Sequence, residues 1–480
     1  LEQHVDLTHD EYDTFQKAEA CLWNVRVQLP YLLGRAEDRL SFDVQPALAA
    51  ELGYIDTDKP RRAVERFMKA YFLVAKDVGD LTRIFCAALE EQHKKVRPSL
   101  RRILPGFLRP RSADDDFYVE NGRLMARPGV FRDDPANILK IFCIADAKGV
   151  DIHPHALRTI TRSLDLITDA VRRSPEANKA FLDALTSHHD PERALRLMNE
   201  AGVLGRFIPE FGHAVGLMQF NMYHHYTVDE HLIRAVGNVA AIERGENRDD
   251  NPLSTEVVKR IKNRQVLYCA ILLHDVAKGL PGDHSDVGAR IARSLCPRLG
   301  LSSADTLAVA WLVKHHLVMS DTAQRRDLSD PKTVRDFVDM VQSPQMLRQL
   351  LVLTVADIRA VGPGVWNGWK GALLRELYYA AENMMTGGDQ APARSVRVAS
   401  AKAALAERLS DFTPAQRERA LSRHYDNYWL AFEPEELERH ARLMAAADAT
   451  GQLLALSAVS STFRAVTDIT IYAPDNAGLF

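Results

Sequence analysis

The 480-residue sequence is poor in cysteine, and the five it has are scattered. Cys21, Cys86, Cys143, Cys269 and Cys296 form no CxxC pair, which speaks against a disulfide framework and against a cysteine-type structural zinc site. Cys86, Cys143 and Cys269 sit in apolar helical runs and read as buried free thiols in a reducing compartment. Charge of one sign is lacking as well. The 61 Lys and Arg against 64 Asp and Glu leave a net charge of −3 with no long single-sign block. Neither nucleic-acid binding nor a polybasic membrane anchor is supported by that balance. No apolar run approaches the ~20 residues of a membrane span, and the opening LEQHVDLTHDEYD is not a signal peptide. A phosphate-binding glycine loop is also missing: GPGVWNG (Gly362–Gly368) has the wrong spacing and no Lys-Ser/Thr after it. The expectation is a soluble, cytoplasmic protein without nucleic-acid or membrane partners, long enough for two to four domains.

What is present is mostly helical pattern. Between Ala63 and Leu89, the residues Val64, Phe67, Met68, Tyr71, Phe72, Ala75, Val78, Leu81, Ile84, Phe85 and Ala88 fall on one helical stripe and read as core. The charged segment before it, Gly34–Gln45, reads as surface salt bridging among Arg35, Glu37, Asp38 and Arg39. Pro98, Pro105, Pro110, Pro128 and Pro135 then break the pattern. Inside the break, DFYVENGRLMAR alternates around Asn121-Gly122, the signature of a β-hairpin near 116–127. Helices resume from Pro135, with starts expected at His153-Pro154, Ser174-Pro175 and Asp190-Pro191. Glu192–Phe211 reads as a short helix, a glycine stop and a second short helix. Arg244–Asn251 reads as a solvated loop, and GGDQAPARS leads into a last helical stretch, Val398–Ala447. The terminal DITIYAPDNAGLF alternates like a strand that lacks a partner, as though the chain stops inside a further domain.

Histidines concentrate in one region: His224, His225, His231, His274, His284, His315 and His316, out of 17 in the chain. Within LYCAILLHDVAKGLPGDH (Leu267–His284), an apolar helix too hydrophobic to face water ends in His274-Asp275. Asp357 ends the apolar run LLVLTVAD in the same way, and His315-His316 follow the apolar run Ala308–Val313. Each alone reads as a satisfied core or helix-end residue. Buried ionisable groups cost several kcal/mol unless paired or metal-bound, so the set as a whole points to a metal site. His231, His274, Asp275, His284, His315, His316 and Asp357 suit a mono- or dinuclear site for Mn, Fe, Zn or Mg. Such a site activates water and stabilises charge on an attacked phosphorus, with Asp275 bridging in a two-ion version. Lys278 is either a point charge for the phosphate or an ordinary helix-end cation. Gln324, Arg325 and Arg326 either clamp the phosphate or leaving group, or form a solvated turn. His224 and His225 read as bystanders.

The set His231, His274-Asp275, Asp357 resembles the HD phosphohydrolase superfamily. The longer strings GRAEDRLSFDVQ, VERFMKAYF, YHHYTVDEH, LLHDVAKG, GDHSDVGA, VKHHLVMSDTAQRRDLSDP, LTVADIRAVGP, DNYWLAFEPEELERHARL and ITIYAPDNAGLF resemble the bifunctional uridylyltransferase/uridylyl-removing enzymes of the nitrogen-regulatory PII protein, in order and over essentially the whole chain. The resemblance implies an all-α fold with one small hairpin. It implies a helical domain over 1–222, an HD-type metal-binding domain over 223–388, a helical linker region over 389–466 and the start of a truncated ACT domain over 467–480. It carries His231, His274, Asp275 and Asp357 over as metal ligands, and His284, His315 and His316 as the additional histidines of dinuclear relatives. Thr227 stands where some dinuclear relatives place a Glu, which speaks against a third ion.

The resemblance further implies a divalent cofactor, Mn or Mg before Fe or Zn, as one or two ions. The family's partners would be uridylylated PII and, through its ACT domains, glutamine. No Gly-Ser nucleotidyltransferase motif with an Asp-x-Asp pair is found in the sequence. The implied activity is therefore phosphodiester hydrolysis, with Asp275 and Lys278 as catalytic residues and Gln324, Arg325 and Arg326 binding substrate. The rival readings are an HD phosphohydrolase of a small nucleotide and a non-catalytic regulatory scaffold.

Overall fold

The structure is a computed structural model that describes residues 9–56, 60–93, 116–220, 225–246, 248, 250–328, 330–386, 391–432, 434–461 and 466–474. The expectations for His224, the side chains of Cys86, Ile84, Phe85 and Ala88, Pro98, Pro105, Pro110 and the residues after 474 lie outside that description. The chain forms two compact units, residues 1–240 with 263–314, and residues 241–262 with 315–480. The fold is all-α with small sheets.

In the first unit, helices His9–Leu33, Gln45–Glu51 and Pro60–His93 enclose a core of Val25, Leu29, Leu48, Val64, Phe67 and Met68. Tyr71 and Phe72 of the expected stripe pack against its edge. The charged segment between these helices behaves as surface: Arg26 pairs with Asp38 at 3.1 Å and Arg35 with Glu37 at 3.6 Å. Strands β1 (Phe117–Glu120) and β2 (Arg123–Ala126) form the expected hairpin, with Glu120 opposite Arg123. Asn121 and Gly122 take the positive φ values, 51° and 77°, that a two-residue turn of this hand needs. A third strand, β3 (Asp151–Ile152), runs parallel to β2. Two residues are too few to show an alternating pattern, which is why the sequence did not announce it. The three Pro-led helices begin where expected, each capped by the side chain before the proline: His153, Ser174 and Asp190. Helix Pro191–Glu200 ends before Gly202 (φ 76°), and Val203–Phe207 and Pro209–Gly212 follow.

In the second unit, helices Ala391–Arg408, Asp426–Ala431 and Pro434–Thr450 bury Leu405, Leu409, Trp429 and Leu437. Three expectations are corrected here. The terminal strand has a partner: β4 (Ala455–Ser461) pairs antiparallel with β5 (Val466–Tyr472), Leu456 opposite Ile471 and Ala458 opposite Ile469. The region before the last strand is therefore not helical throughout, because the small, β-neutral ALSAVSS is carried into a strand by pairing that its own composition signals weakly. The loop Arg244–Asn251 is not wholly solvated either. Asn251 is 4% exposed, and Asp250 lies 3.8 Å from the guanidinium of Arg359.

Among the described residues no helix is long and apolar enough to cross a membrane. Cys21, Cys143, Cys269 and Cys296 are free. Burial pushes the thiols of Cys143 and Cys296 up to about 12, and that of Cys269 well above its ordinary value. Only the thiolate reacts, so at pH 8 a thiol with a pKa near 12 is ionised in roughly one molecule in ten thousand. Iodoacetamide at pH 8 is expected to modify Cys143 and Cys296 at least about 100-fold more slowly in the native protein than in urea, as read by mass spectrometry. Equal rates in the two states would refute this burial.

Candidate metal centre

The centre grows from helix Arg264–Leu273, in which every residue from Val266 to Leu273 is buried. Asn263 caps its first turn through Val266 N, and the apolar run carries the chain into the interior. Its end is tight. Val276 N donates to Leu273 O and Lys278 N to Asp275 O, and the chain leaves through Gly279 at φ 83°. A Cβ at Gly279 would come 2.8 Å from Leu217 Cδ2, so glycine answers both the dihedral and the space. His274 and Asp275 are thereby held at 0% and 3% exposure.

The two residues face a histidine from helix Val228–Arg244. His274 Nδ1 lies 2.7 Å from Ile271 O and can only donate to it, which leaves the Nε2 lone pair of a neutral ring directed away from its own helix. That Nε2 lies 3.1 Å from His231 Nε2. Two imidazole nitrogens each ~2.1 Å from one ion and at right angles would be about 3.0 Å apart. Asp275 Oδ2 sits 3.6 Å from His231 Nε2 and 3.5 Å from His274 Nε2, while Oδ1 sits 3.6 Å from His284 Nε2. The carboxylate thus turns one oxygen to the buried histidine pair and the other to His284, the first residue of helix His284–Arg298. Nitrogen and carboxylate donors in this mix fit a divalent ion. Lys278 Nζ lies 2.5 Å from Asp275 Oδ2 and balances the buried charge.

Helix Val228–Arg244 is held in turn by groups outside the HD motif. Glu230 accepts from Arg196 at 2.8 and 3.0 Å and from Arg234 at 2.6 Å. Burial pushes the Glu230 carboxyl up, and the two guanidinium groups oppose that shift. Asp229, 6% exposed, accepts from Asn199 and from Gly216 N. The sequence signal was available: Glu230 and Arg234 stand at i,i+4 on the helix that carries His231.

The remaining sequence-derived candidates lie in the second unit. His315-His316 follow helix Ser303–Lys314 directly, and His316 is 1% exposed. Asp357 is half-buried near the end of helix Pro344–Val361, behind the buried run Leu350–Ala356. Gln324, Arg325 and Arg326 are exposed at the end of helix Val318–Arg325; Arg325 lies 3.4 Å from Asp321 and Arg326 3.6 Å from Asp336. Of the two bystanders, His225 is exposed.

A buried helix end that turns His-Asp toward facing histidines inside an all-α fold is the arrangement of an HD domain, a class of divalent-metal-binding domain. The HD domain family model indeed matches residues 228–361. Two further models match the chain before it: GlnD PII-uridylyltransferase over 1–86, and the uridylyltransferase GlnD third domain over 117–207. The chain belongs to the GlnD family of PII uridylyltransferases, with an HD domain.

Asp275→Ala is expected to weaken Mn²⁺ binding by at least about 100-fold, more than the loss of an outer-shell partner usually costs, with helical circular dichroism unchanged. Undiminished Mn²⁺ stoichiometry in a titration calorimeter would remove Asp275 from the ligand set.

Proposed function

We propose that this chain carries the hydrolytic activity of its family: removal of UMP from the uridylyl-tyrosine of the PII signalling protein. The observation that carries this reading is the buried Asp275 carboxylate shared between the His231–His274 pair and His284. The HD match runs on through His316 and Asp357, which we assign to the same ligand set, with His315 beside it. A divalent ion, Mn or Mg by preference, would supply an activated water and charge stabilisation at phosphorus.

The chain's own residues do the rest. The Ile271 carbonyl fixes the tautomer of His274 and so keeps Nε2 available as a donor of electron density. Lys278 pairs with the Asp275 carboxylate and sets a positive charge beside the reacting phosphodiester. The side chain of His284 is 29% exposed, against 0% and 3% for His274 and His231, so the substrate phosphate arrives from the His284 side. Hydrolysis forms a bond from water oxygen to phosphorus and breaks the bond from phosphorus to the tyrosine oxygen. The tyrosine oxygen leaves with the electron pair and then takes a proton. A phenol with pKa ≈ 10 leaves more readily than a ribose hydroxyl, so cleavage on the tyrosine side releases UMP and restores the protein. Gln324, Arg325 and Arg326, exposed after His316, are placed in this reading to meet a protein substrate rather than a free nucleotide.

Uridylylated PII incubated with the full chain and Mn²⁺ is expected to release UMP, and the release should stop with chelator. It should fall by at least about 1000-fold in Asp275→Ala, as expected for removal of a central catalytic group. Release that is indifferent to chelator would overturn the metal-dependent reading. Bound Mn²⁺ without any release from PII would overturn the assigned substrate.

A further inference from the structure

The second unit contains a cavity of about 710 Å³ lined by residues that follow the HD-matched segment in the sequence. Three elements wall it. Helix Gly368–Met385 contributes Trp369, Leu373 and Glu376, which share one face at helical spacing. Tyr425, Tyr428 and Phe432 line a second side together with residues of helix Pro434–Thr450, and β5 closes a third with Ile469 and Ile471. The size is that of a site for a small organic molecule, and Trp369, Tyr425, Tyr428, Phe432 and Tyr472 give its walls an aromatic share.

Its polar groups are few and unequal. Arg439 lies 4.0 Å from Glu436, so those two charges offset one another. Among the described residues no hydrogen bond or ion pair reaches Glu376, whose carboxyl is half-buried and pushed up, first by that burial and then by Asp327. His424 lines the same cavity, with its Nε2 buried and without a hydrogen-bond partner. Its ring stacks on Tyr428 at 3.7 Å, and Tyr428 Oη lies 3.1 Å from His440 Nδ1. Burial holds both imidazoles below their ordinary values and lifts the Tyr428 hydroxyl above its own, so the rings and the phenol stay neutral. The lining charge is therefore one negative in excess, set among π-faces. Trp369 and Tyr425, 59% and 75% exposed, are large aromatic surfaces left open to a ligand.

We propose that this cavity is a binding site for an organic cation, an ammonium or guanidinium group on an apolar body, held by Glu376 and the aromatic faces of Trp369, Tyr425 and Tyr428. A cation over aromatic faces gains from their quadrupoles, most strongly on Trp. An N–H donor would meet the two groups that lack one, the Glu376 carboxylate and the His424 imidazole. The same chemistry reaches the site either as a free amine or as a basic side chain of a docking protein.

Titration calorimetry on the full chain tests this with phenethylammonium, with a lysine-containing hexapeptide and with phenylpropionate as the anionic counterpart. Saturable binding is expected for a cation and not for the anion, with a loss of at least about 10-fold in both Glu376→Gln and Trp369→Leu. Tighter binding of the peptide would make a protein segment the natural occupant, and tighter binding of the free amine a small molecule; either supports the site. Equal binding of the anion, an unchanged affinity in both variants, or no saturable binding of either cation overturns it. Helical circular dichroism of the two variants separates lost affinity from lost fold, since both side chains are at least partly open to solvent.

Discussion

A carboxylate at the inner end of an apolar helix is the constraint to which the first unit answers. Burying an unpaired carboxylate costs several kcal/mol even after relaxation, and Asp275 is 3% exposed. The fold surrounds it with the ammonium of Lys278 at 2.5 Å and with three imidazoles at 3.5 to 3.6 Å, brought from three different helical segments. Removing the carboxylate would leave Lys278 buried at 12% exposure without its partner, and removing Lys278 would leave the carboxylate to the imidazoles alone. The helices bearing His231 and His284 are therefore fixed by electrostatics at this point as much as by packing.

That dependence reaches outward in layers. His231 is useful only if helix Val228–Arg244 keeps its rotation, and Glu230, one residue before it, is tied to Arg196 and Arg234. Asp229 binds the same helix to Asn199 and to the Gly216 backbone. A Cβ on Gly288 would come 2.9 Å from Val313, so helix His284–Arg298 can lie this close to helix Ser303–Lys314 only with glycine there. The HD motif is short, but the geometry it needs is spread over the matched region and the segment before it.

What the sequence disclosed follows from how strongly each feature is written into local pattern. The apolar helix ending in His274-Asp275, the stripe through Phe67 and Met68, the turn at Asn121-Gly122 and the three Pro-led helix starts each repeat or punctuate at a fixed spacing, and each stands in the structure as read. β3 and β4 were missed for one reason: a two-residue strand and a run of small residues owe their conformation to a partner strand, not to their own composition. The burial of Asn251 beside Asp250 and Arg359 was missed because RGENRDDN has the composition of a solvated loop, and nothing local announces a buried arginine elsewhere in the chain. The histidine set could be collected from sequence because helix ends mark it. Which oxygen of Asp275 faces which ring could not, since adjacent residues on a helix diverge by about 100° and the outcome depends on the tight turn that closes at Gly279.

Lys278 shows why chemistry at such a site cannot be assigned by residue type alone. Its ammonium lies on Oδ2, the oxygen that also faces His231 and His274, rather than on Oδ1, which faces His284. A carboxylate oxygen has two lone-pair directions, so Oδ2 can accept from Lys278 while directing electron density toward the histidine pair. A lysine placed this way orients the carboxylate through Oδ2. The same side chain thus offsets a buried charge at the helix end. Of the two readings of Lys278, the helix-end cation is the one this ion pair with Asp275 bears on.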